Sequence, residues 1–359
     1  MSIKSFLLKN STTNTLKKRT AQPCGLIMPH SVAPRNAAIC NKARSPLGDR
    51  QCARTNTNSR GISCRCSCGS WLVFLTLIFA FSSCTTISPV SSKKENPSVF
   101  KTVENIQPQW QVFANGIDYF CGKISSPSLE FWALKIDLSA RELDIVVKGG
   151  TQIENQTLST KVSNFARDND LLAGINAVPF DIVSSKEGRA IQNVGIVISN
   201  GKMISRANPN YDALVFYKDG KSAIVNQSAI KSIENIENAV GGFHQILSNG
   251  ETAQRTRDRK ARHPRSAAGI SQDGKYLYLV VIDGRRAGSV GATEEETALL
   301  LRRLGSWEGI NFDGGGSSAL AMRFADGKIR VVNTPIHDGI LGRERAVAGC
   351  IGVKKKDGN

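Results

Sequence analysis

Residues 309–319 read Gly-Ile-Asn-Phe-Asp-Gly-Gly-Gly-Ser-Ser-Ala, a short strand signal that runs into three glycines and two serines. Asn311 and Asp313 stand one residue apart, so in an extended chain both side chains project to one face. Glycines permit left-handed backbone and close approach, and successive N–H groups in such a turn can bind an anion. The stretch therefore predicts a strand that ends in a functional turn.

Residues 314–319 also approach two familiar patterns. Gly-x-Gly-x-x-Ala is similar to a dinucleotide fingerprint, and the overlapping Gly-x-Ser-x-Ala is similar to a nucleophile elbow around Ser317. Both patterns require a helix directly after the turn. Here the Asp326-Gly327 dipeptide follows closely, which is typical of a hairpin. Because His337 lies downstream, a serine acyl hydrolase stays as a less favoured alternative.

The rest of the globular region is rich in hairpin signals. Strand-like runs cover residues 131–138 and 143–147, and two segments, 158–167 and 294–304, have helical patterns. Thr293 and Glu296 form a capping box at the start of the second helix. Many hairpins with two helices predict an α+β fold: a single domain of mixed, hairpin-rich β-sheet with a few packed helices. The turn dipeptides are Asn200-Gly201, Asp219-Gly220, Asp273-Gly274 and Asp326-Gly327.

The basic charge is concentrated near the N-terminus. Residues 1–83 carry 12 Lys and Arg residues and one acid, which is +11 of the net +17 of the 359-residue chain. The globular region lacks the dense basic face with interleaved aromatic residues that marks nucleic-acid binders. We therefore expect no nucleic-acid partner.

An export signal is predicted by the 11-residue run Trp-Leu-Val-Phe-Leu-Thr-Leu-Ile-Phe-Ala-Phe at residues 71–81. It is short for a membrane-spanning helix and suits the apolar part of a signal peptide. Phe-Ser-Ser-Cys, ending at Cys84, resembles a bacterial lipobox, with Phe81 where Leu is usual. We expect a lipid anchor on Cys84 and a place in the cell envelope; an ordinary cleaved signal and a membrane anchor are the alternatives. The expected segments are a disordered or misassigned extension at 1–60, the signal at 61–84, a flexible tether at 85–105 and the domain at 106–359.

Two cysteines, Cys121 and Cys350, follow Cys84. In an exported protein they are candidates for one disulfide, and two buried thiols are the alternative. The Cα separation that decides between these states is not contained in a sequence.

Residues 311–318 resemble the hallmark Asn-x-Asp-Gly-Gly-Gly-Ser-Ser of the phosphodiester glycosidase family. Two departures stand out: Asn176 is followed by Ala177-Val178 where the family has Gly-Gly, and Gly349 stands where Asn is common. Several matches in family order are more specific than any one of them. The other similar segments are residues 173–176, 262–269, 281–285, 332–333 and 344–347.

The resemblance implies a hydrolase that removes a GlcNAc-like sugar from a sugar-1-phosphate diester of a glycan or envelope polymer. Such chemistry needs a carboxylate near the anomeric carbon and donors on the phosphate. We expect Asp313 as the catalytic carboxylate, with Asp283 as its partner. The expected substrate-binding residues are Asn176, Arg265, Gly284, Arg285, Asn311, Gly314, Gly315, Gly316, Ser317, Ser318 and Arg345; among them Arg265, the glycine amides and Ser317 would hold the phosphate, and the two asparagines would orient sugar or phosphate oxygens.

No cofactor is expected. The aspartate pair is an alternative site for a divalent cation, which ranks lower because further ligands are not evident. A different class of function is a non-catalytic, glycan-binding surface lipoprotein, supported by the altered residues after Asn176. Turnover, compared with binding alone, separates these two classes.

Lipid attachment at Cys84 is directly testable. Metabolic labelling with a clickable fatty acid should mark the protein, and Cys84→Ala should abolish the label, because the cysteine thiol is the acceptor. Unchanged labelling of the alanine variant would contradict the lipoprotein assignment.

Overall fold

The computed structural model describes residues 103–256 and 260–356, all within the compact unit Lys93–Asn359. The N-terminal extension, the signal segment with Cys84 and the tether up to residue 102 lie outside the described residues. Val103 is only 1% exposed, and the Val103 carbonyl accepts a hydrogen bond from the Ile106 N–H at 3.2 Å. The packed part therefore already includes residue 103, three residues before the expected boundary. None of the described helices has the length and apolar character that crossing a bilayer requires.

The described residues form 22 strands and two helices whose bounds lie wholly within them. The strands of the first half are β1 Gln111–Ala114, β2 Ile117–Ser125, β3 Ser128–Asp137, β4 Leu143–Val147, β5 Gln156–Leu158, β6 Ala173–Asn176, β7 Ala190–Gln192, β8 Val197–Ser199, β9 Lys202–Ser205, β10 Asp212–Tyr217 and β11 Ser222–Asn226. Those of the second half are β12 Ile236–Gly241, β13 His244–Ser248, β14 Glu251–Thr252, β15 Arg265–Ile270, β16 Tyr276–Ile282, β17 Glu308–Asn311, β18 Leu320–Arg323, β19 Ile329–Val331, β20 Ile336–His337, β21 Ile340–Leu341 and β22 Cys350–Lys355. The helices are α1 Val162–Asp168 and α2 Glu294–Leu304.

Three sheets make up most of the fold. An eight-stranded sheet has the order β1-β2-β3-β16-β15-β17-β13-β14. One five-stranded sheet has the order β11-β10-β12-β8-β9, and the other has the order β19-β18-β6-β22-β4. All pairings within these sheets are antiparallel, where a mixed sheet was expected. Tight hairpin turns, which join antiparallel neighbours, account for much of this pattern.

The central strands of the eight-stranded sheet are buried on both faces. In β16, Leu279 and Val281 face the largest apolar cluster, which also contains residues of both five-stranded sheets. Their neighbours Val280 and Ile282 face a second cluster, which includes the apolar side of α2. Side chains alternate between the faces of a strand, so β16 contributes to both clusters. This explains its nearly continuous apolar sequence.

Helix α2 has the predicted bounds and cap. The Thr293 Oγ1 accepts the Glu296 N–H at 3.1 Å, and the Glu296 carboxylate accepts the Thr293 N–H at 2.9 Å. The first predicted helix was too long: α1 begins at Val162, and Leu158 ends β5 with 51% of its surface exposed. Leu158 lies four residues before Val162, which is the spacing of apolar residues on one face of a helix. Its backbone nevertheless belongs to a strand that pairs with β7.

The four predicted hairpins are confirmed as β8–β9, β10–β11, β15–β16 and β18–β19. The strand runs at 131–138 and 143–147 are confirmed as parts of β3 and β4, but these strands belong to different sheets. Cys121 in β2 and Cys350 in β22 do not form a disulfide with each other, and they lie in different sheets. Burial raises the pKa of Cys350 to about 12.

Residues 309–319 carry the chain from one sheet to another. They leave the eight-stranded sheet at the end of β17 and enter the five-stranded sheet of β6 at β18. At the crossing, the Phe312 N–H donates to the Ser266 carbonyl at 2.9 Å, and the Asp313 N–H donates to the Ala177 carbonyl at 2.8 Å. The glycine turn is thereby held between the two sheets.

The two departures from the family pattern pack against each other. A Cβ on Gly349 would lie 2.5 Å from the Val178 Cγ2, and Val178 is only 1% exposed. The larger residue at 178 therefore fills the space that a side chain at 349 would need. Relative to the family pattern, side-chain volume is gained at position 178 and lost at position 349; we call this the exchange of volume between the two positions.

This exchange predicts strong coupling between the two positions. Gly349→Ala should destabilise the fold by about 1 to 3 kcal/mol, because overpacking forces neighbours out of their rotamers. In a Val178→Ala background, Gly349→Ala should destabilise the fold less than it does in the wild type, and the difference should exceed about 0.5 kcal/mol. Denaturant unfolding of both single variants and the double variant measures this coupling. Gly149→Ala, where a Cβ meets nothing within 4 Å, is the control; additive effects at 178 and 349 would contradict the exchange.

Candidate active site

Asp313 is the central carboxylate of the candidate site. It lies two residues beyond β17 and is partly buried. Burial raises the pKa of Asp313 to about 6; the Ser317 hydroxyl, the Arg345 charge and the Gly314 N–H each lower this pKa, and they offset the effect of burial only in part. A carboxylate with this pKa can change its protonation state near neutral pH.

Asn176 supports the turn from beneath. Its Nδ2 donates to the Asp313 carbonyl at 2.6 Å, and its Oδ1 accepts from the Ser266 hydroxyl at 2.7 Å and the Ala319 N–H at 3.2 Å. The side chain is 1% exposed. Asn176 therefore fixes both ends of the turn, whereas the sequence predicted that it would orient substrate oxygens.

Backbone N–H groups of the turn are partly used within the protein. The Gly315 N–H donates to the Pro264 carbonyl at 2.9 Å. The Ser317 N–H donates to the Gly314 carbonyl at 3.2 Å. A turn packed between two sheets must satisfy its own backbone groups. The N–H groups of Gly315 and Ser317 are therefore not available for the predicted cradle of consecutive amides.

Two arginines lie over the glycines. A Cβ on Gly315 would lie 2.9 Å from the Arg285 Nη2, and one on Gly316 would lie 2.5 Å from the Arg345 Nη2. Arg285 is exposed and, within the described ranges, forms no ion pair or hydrogen bond. Its φ of 61° is unusual for a residue with a side chain, and such strain often marks a functional position. The turn and the two guanidinium groups form a site suited to an anion.

Arg265, predicted to hold phosphate, has a different role. It is 7% exposed, and its Nε and Nη2 each donate at 3.0 Å to carbonyls of Ala292 and Ala261. Its Nη1 lies 3.5 Å from the Glu294 Oε1. The guanidinium secures the start of α2 to β15, and sequence spacing could not reveal that it points there.

Asp283, the predicted catalytic partner, is 1% exposed and enclosed by donors. Its Oδ1 accepts from the Asn333 Nδ2 at 2.9 Å, and its Oδ2 accepts from the Arg286 Nη2 at 2.7 Å and the Thr334 N–H at 3.0 Å. Burial raises the pKa of Asp283 in spite of these bonds. The carboxylate anchors the 283–286 turn from which Arg285 projects, so the geometry favours a positioning role over catalysis.

Three other predicted binding residues are inside the protein. A Cβ on Gly284 would lie 2.6 Å from the Pro264 nitrogen, so this glycine permits close backbone contact. Asn311 and Ser318 are each 1% exposed, and their side-chain oxygens have no hydrogen-bond partner among the described residues. The structure thus brings four predicted residues together at the turn: Asp313, Ser317, Arg285 and Arg345. Gly284, Asn311 and Ser318 are instead buried in the protein.

His337 is a further residue of the site, and the sequence suggested it only as the base of an acyl hydrolase. Its Nδ1 accepts the Arg345 Nε–H at 3.3 Å, and the Arg345 Nη1 donates to the Ser317 hydroxyl at 3.2 Å. The imidazole and the Ser317 hydroxyl are therefore both bonded to Arg345 and not to each other. The turn also continues into strand β18 without the helix that a nucleophile elbow requires. This arrangement argues against a serine acyl hydrolase.

The sequence model of the phosphodiester glycosidase family matches residues 169–354, more than half of the chain. The chain belongs to this family. All the site residues from Asn176 to Arg345 lie within the matched range.

Individual relatives are more distant. The SPbeta prophage-derived uncharacterized protein YomE of Bacillus subtilis (strain 168) is 32% identical over 154 residues, which cover 41% of this chain and 22% of that protein. The chain thus spans about a fifth of that relative. The catalytic domain of zebrafish N-acetylglucosamine-1-phosphodiester alpha-N-acetylglucosaminidase, auto-inhibited by its pro-peptide, has a TM-score of 0.53 at 20% identity, over 70% of this chain and 85% of that one. A hypothetical protein from Synechocystis has a TM-score of 0.52 at 14% identity, and the match covers 69% of this chain and 64% of that one. These two structures share the fold.

The two arginines predict that Gly316→Ala weakens anion binding without loss of the fold. The added Cβ would displace the flexible end of Arg345, at an ordinary φ, so the melting temperature should change little. Affinity for sulfate, measured by calorimetry, should fall about tenfold, since a charge-assisted hydrogen bond is lost. Gly149→Ala is the matched control, and sulfate affinity equal to that control would show that Arg345 does not hold the anion.

Proposed function

We propose that this protein hydrolyses a sugar-1-phosphate diester to a free sugar and a phosphomonoester. The observation that carries the proposal is the convergence of one partly buried carboxylate, Asp313, with the Arg285 and Arg345 guanidinium groups on a single turn. Family membership supports glycosidase-type hydrolysis. The name of the zebrafish relative supports a GlcNAc-like sugar, and residues 71–84 support export to the cell envelope with a lipid anchor on Cys84.

The charges of the site suit such a substrate. With Asp313 ionised, the carboxylate and the two arginines sum to one positive charge, which a phosphodiester monoanion neutralises. In the reaction the bond from the anomeric carbon to the phosphate oxygen breaks. Water supplies the new hydroxyl on the sugar, and its second proton goes to the phosphate. The arginines stabilise the negative charge that develops on the leaving oxygen.

Asp313 acts as the ionised carboxylate at the anomeric carbon, either as nucleophile or as the base that activates water. A phosphomonoester is a good leaving group, so a strong general acid is unnecessary. This fits a site in which Asp283 is already bonded to Asn333, Thr334 and Arg286. Asp283 then contributes by holding the turn that presents Arg285.

A glycan-binding protein without activity is the competing proposal, supported by the altered residues after Asn176. The packing weakens that support. Ala177 and Val178 are at most 1% exposed, and the Ala177 carbonyl accepts the Asp313 N–H. The loss of glycine there changes the core and leaves the Asp313 anchor in place. A screen for turnover of sugar-1-phosphodiesters, beginning with a GlcNAc model compound, decides between the proposals.

Asp313→Asn should lower kcat by about 10³ or more, because an essential carboxylate is lost, and should change substrate binding far less. In the wild type, activity should fall as the pH drops through about 6, since protonation removes the reactive form. Because burial raises the pKa of Asp313 from 3.8 to about 6, its ionisation destabilises the fold progressively as the pH rises between those two values. The variant should therefore melt above the wild type at pH 8, and this difference should be lost at about pH 3, where the carboxyl is protonated in both the folded and the unfolded chain.

Asp219→Asn, at an exposed hairpin turn, is the matched control for this substitution. EDTA treatment of the wild type separates two roles of Asp313: inhibition that a divalent ion reverses identifies a metal ligand, and no inhibition leaves direct carboxylate catalysis. Near wild-type turnover in folded Asp313→Asn would refute the assignment at its centre.

A further inference from the structure

The Arg345 guanidinium is held by two neutral acceptors. Its Nε donates to the His337 Nδ1 at 3.3 Å, and its Nη1 donates to the Ser317 hydroxyl at 3.2 Å. Its Nη2 is placed over Gly316, where a Cβ would lie 2.5 Å from it. No carboxylate lies within ion-pair distance of Arg345 among the described residues. Its orientation is fixed while its charge is left for a ligand.

His337 can accept this bond only in its neutral form. A ring nitrogen that accepts an N–H carries no proton, so the proton of His337 is on Nε2. The ring is 2% exposed, and Nε2 makes no aligned hydrogen bond, although the Asp338 Oδ2 is 3.4 Å away. The charged groups that act on the ring are Arg345, Asp338 and Arg343. Burial and the two arginines lower the pKa of His337, against the opposing effect of Asp338.

The unequal use of the two ring nitrogens indicates what His337 does. A histidine that only stabilised the fold would be expected to satisfy both nitrogens when buried. Here one nitrogen accepts a hydrogen bond from the site arginine, and the other has no hydrogen-bond partner among the described residues. The same ring lies on β20, which packs against the Gly315–Ser317 turn. Among the described residues, the bond from Arg345 is therefore the aligned hydrogen bond of this side chain.

We propose that His337 is a positioning residue whose neutral imidazole holds the Arg345 guanidinium over Gly316 and leaves its charge free for the anionic group of the substrate. The proposal rests on the proposed function only for the identity of that anion. Protonation of His337 turns the acceptor into a donor and adds a like charge beside Arg345. The affinity of the site for the anion should then fall at acidic pH, because Arg345 is no longer held in place.

Sulfate binding tests this without turnover, and sulfate keeps its charge across the pH range used. The measurements are made by calorimetry in the full-length Asp313→Asn protein, so that titration of Asp313 near pH 6 does not contribute. Two variants are compared in that background. His337→Asn offers an oxygen acceptor near the Nδ1 position and does not titrate, whereas His337→Leu has similar bulk and no acceptor.

At pH 7.5, His337→Leu should bind sulfate about tenfold more weakly than the parent, and His337→Asn should retain most of the affinity. As the pH falls through the lowered pKa of His337, the parent should lose affinity relative to His337→Asn. Equal affinities of the parent and His337→Leu would overturn the proposal, as would an asparagine variant as weak as the leucine variant. If His337→Leu fails to fold, His337→Ala replaces it as the variant without an acceptor, and equal sulfate affinities of the parent and His337→Ala refute the role of His337.

Turnover, measured separately with Asp313 intact, distinguishes the two proposals. If the wild type hydrolyses no sugar-1-phosphodiester but the sulfate results hold, the proposed function fails and the positioning role stands. If the wild type is active and His337→Leu has unchanged KM and kcat, the positioning role fails and the proposed function stands.

Discussion

The buried side-chain amide of Asn176 is the constraint on which the rest of the site depends. From the end of β6 it bonds Ser266 of the eight-stranded sheet, the Asp313 carbonyl and the Ala319 N–H. One amide thus links two sheets and both ends of the glycine turn. Because a buried polar group left without its partner is costly, this arrangement specifies a single geometry. The position of Asp313 follows from it.

The electrostatic character of the site follows from how its charges are paired. Arg265, Asp283 and Arg286 are bonded within the protein, and they shape the surrounding turns. Arg285 and Arg345 are not matched with carboxylates at hydrogen-bond distance within the described ranges. The protein therefore uses its paired charges as scaffold and presents the unpaired ones to a ligand. Burial of Asp313 and a strained φ at Arg285 are the costs of that presentation.

The sequence predicted the local structure well where a local cause exists. The two-residue turns gave four hairpins, and Thr293 with Glu296 located the start of α2. It did less well where a tertiary contact decides: Leu158 has helical spacing but pairs with β7. The antiparallel pairing of all three sheets also depends on partners far apart in the chain.

The site shows the same division. The residue pattern singled out Asp313, Ser317, Arg285 and Arg345, which do converge. It could not show that Arg265 points to α2, because an arginine beside a strand has the same sequence signature whether it faces a ligand or a carbonyl. His337 was visible in the sequence, but its bond to Arg345 was not. The apparent decay after Asn176 is explained only once Val178 is seen against Gly349.

The crossing of the chain between sheets has a consequence for the order of folding. The bond from Asn176 to the Asp313 carbonyl closes a span of 137 residues, and the contact between Ser266 and Asn176 closes one of 90. Contacts this distant in sequence form slowly, because the entropy of the intervening loops is lost before the contacts repay it. We therefore expect an anionic ligand to bind only after the sheets have closed on the glycine turn.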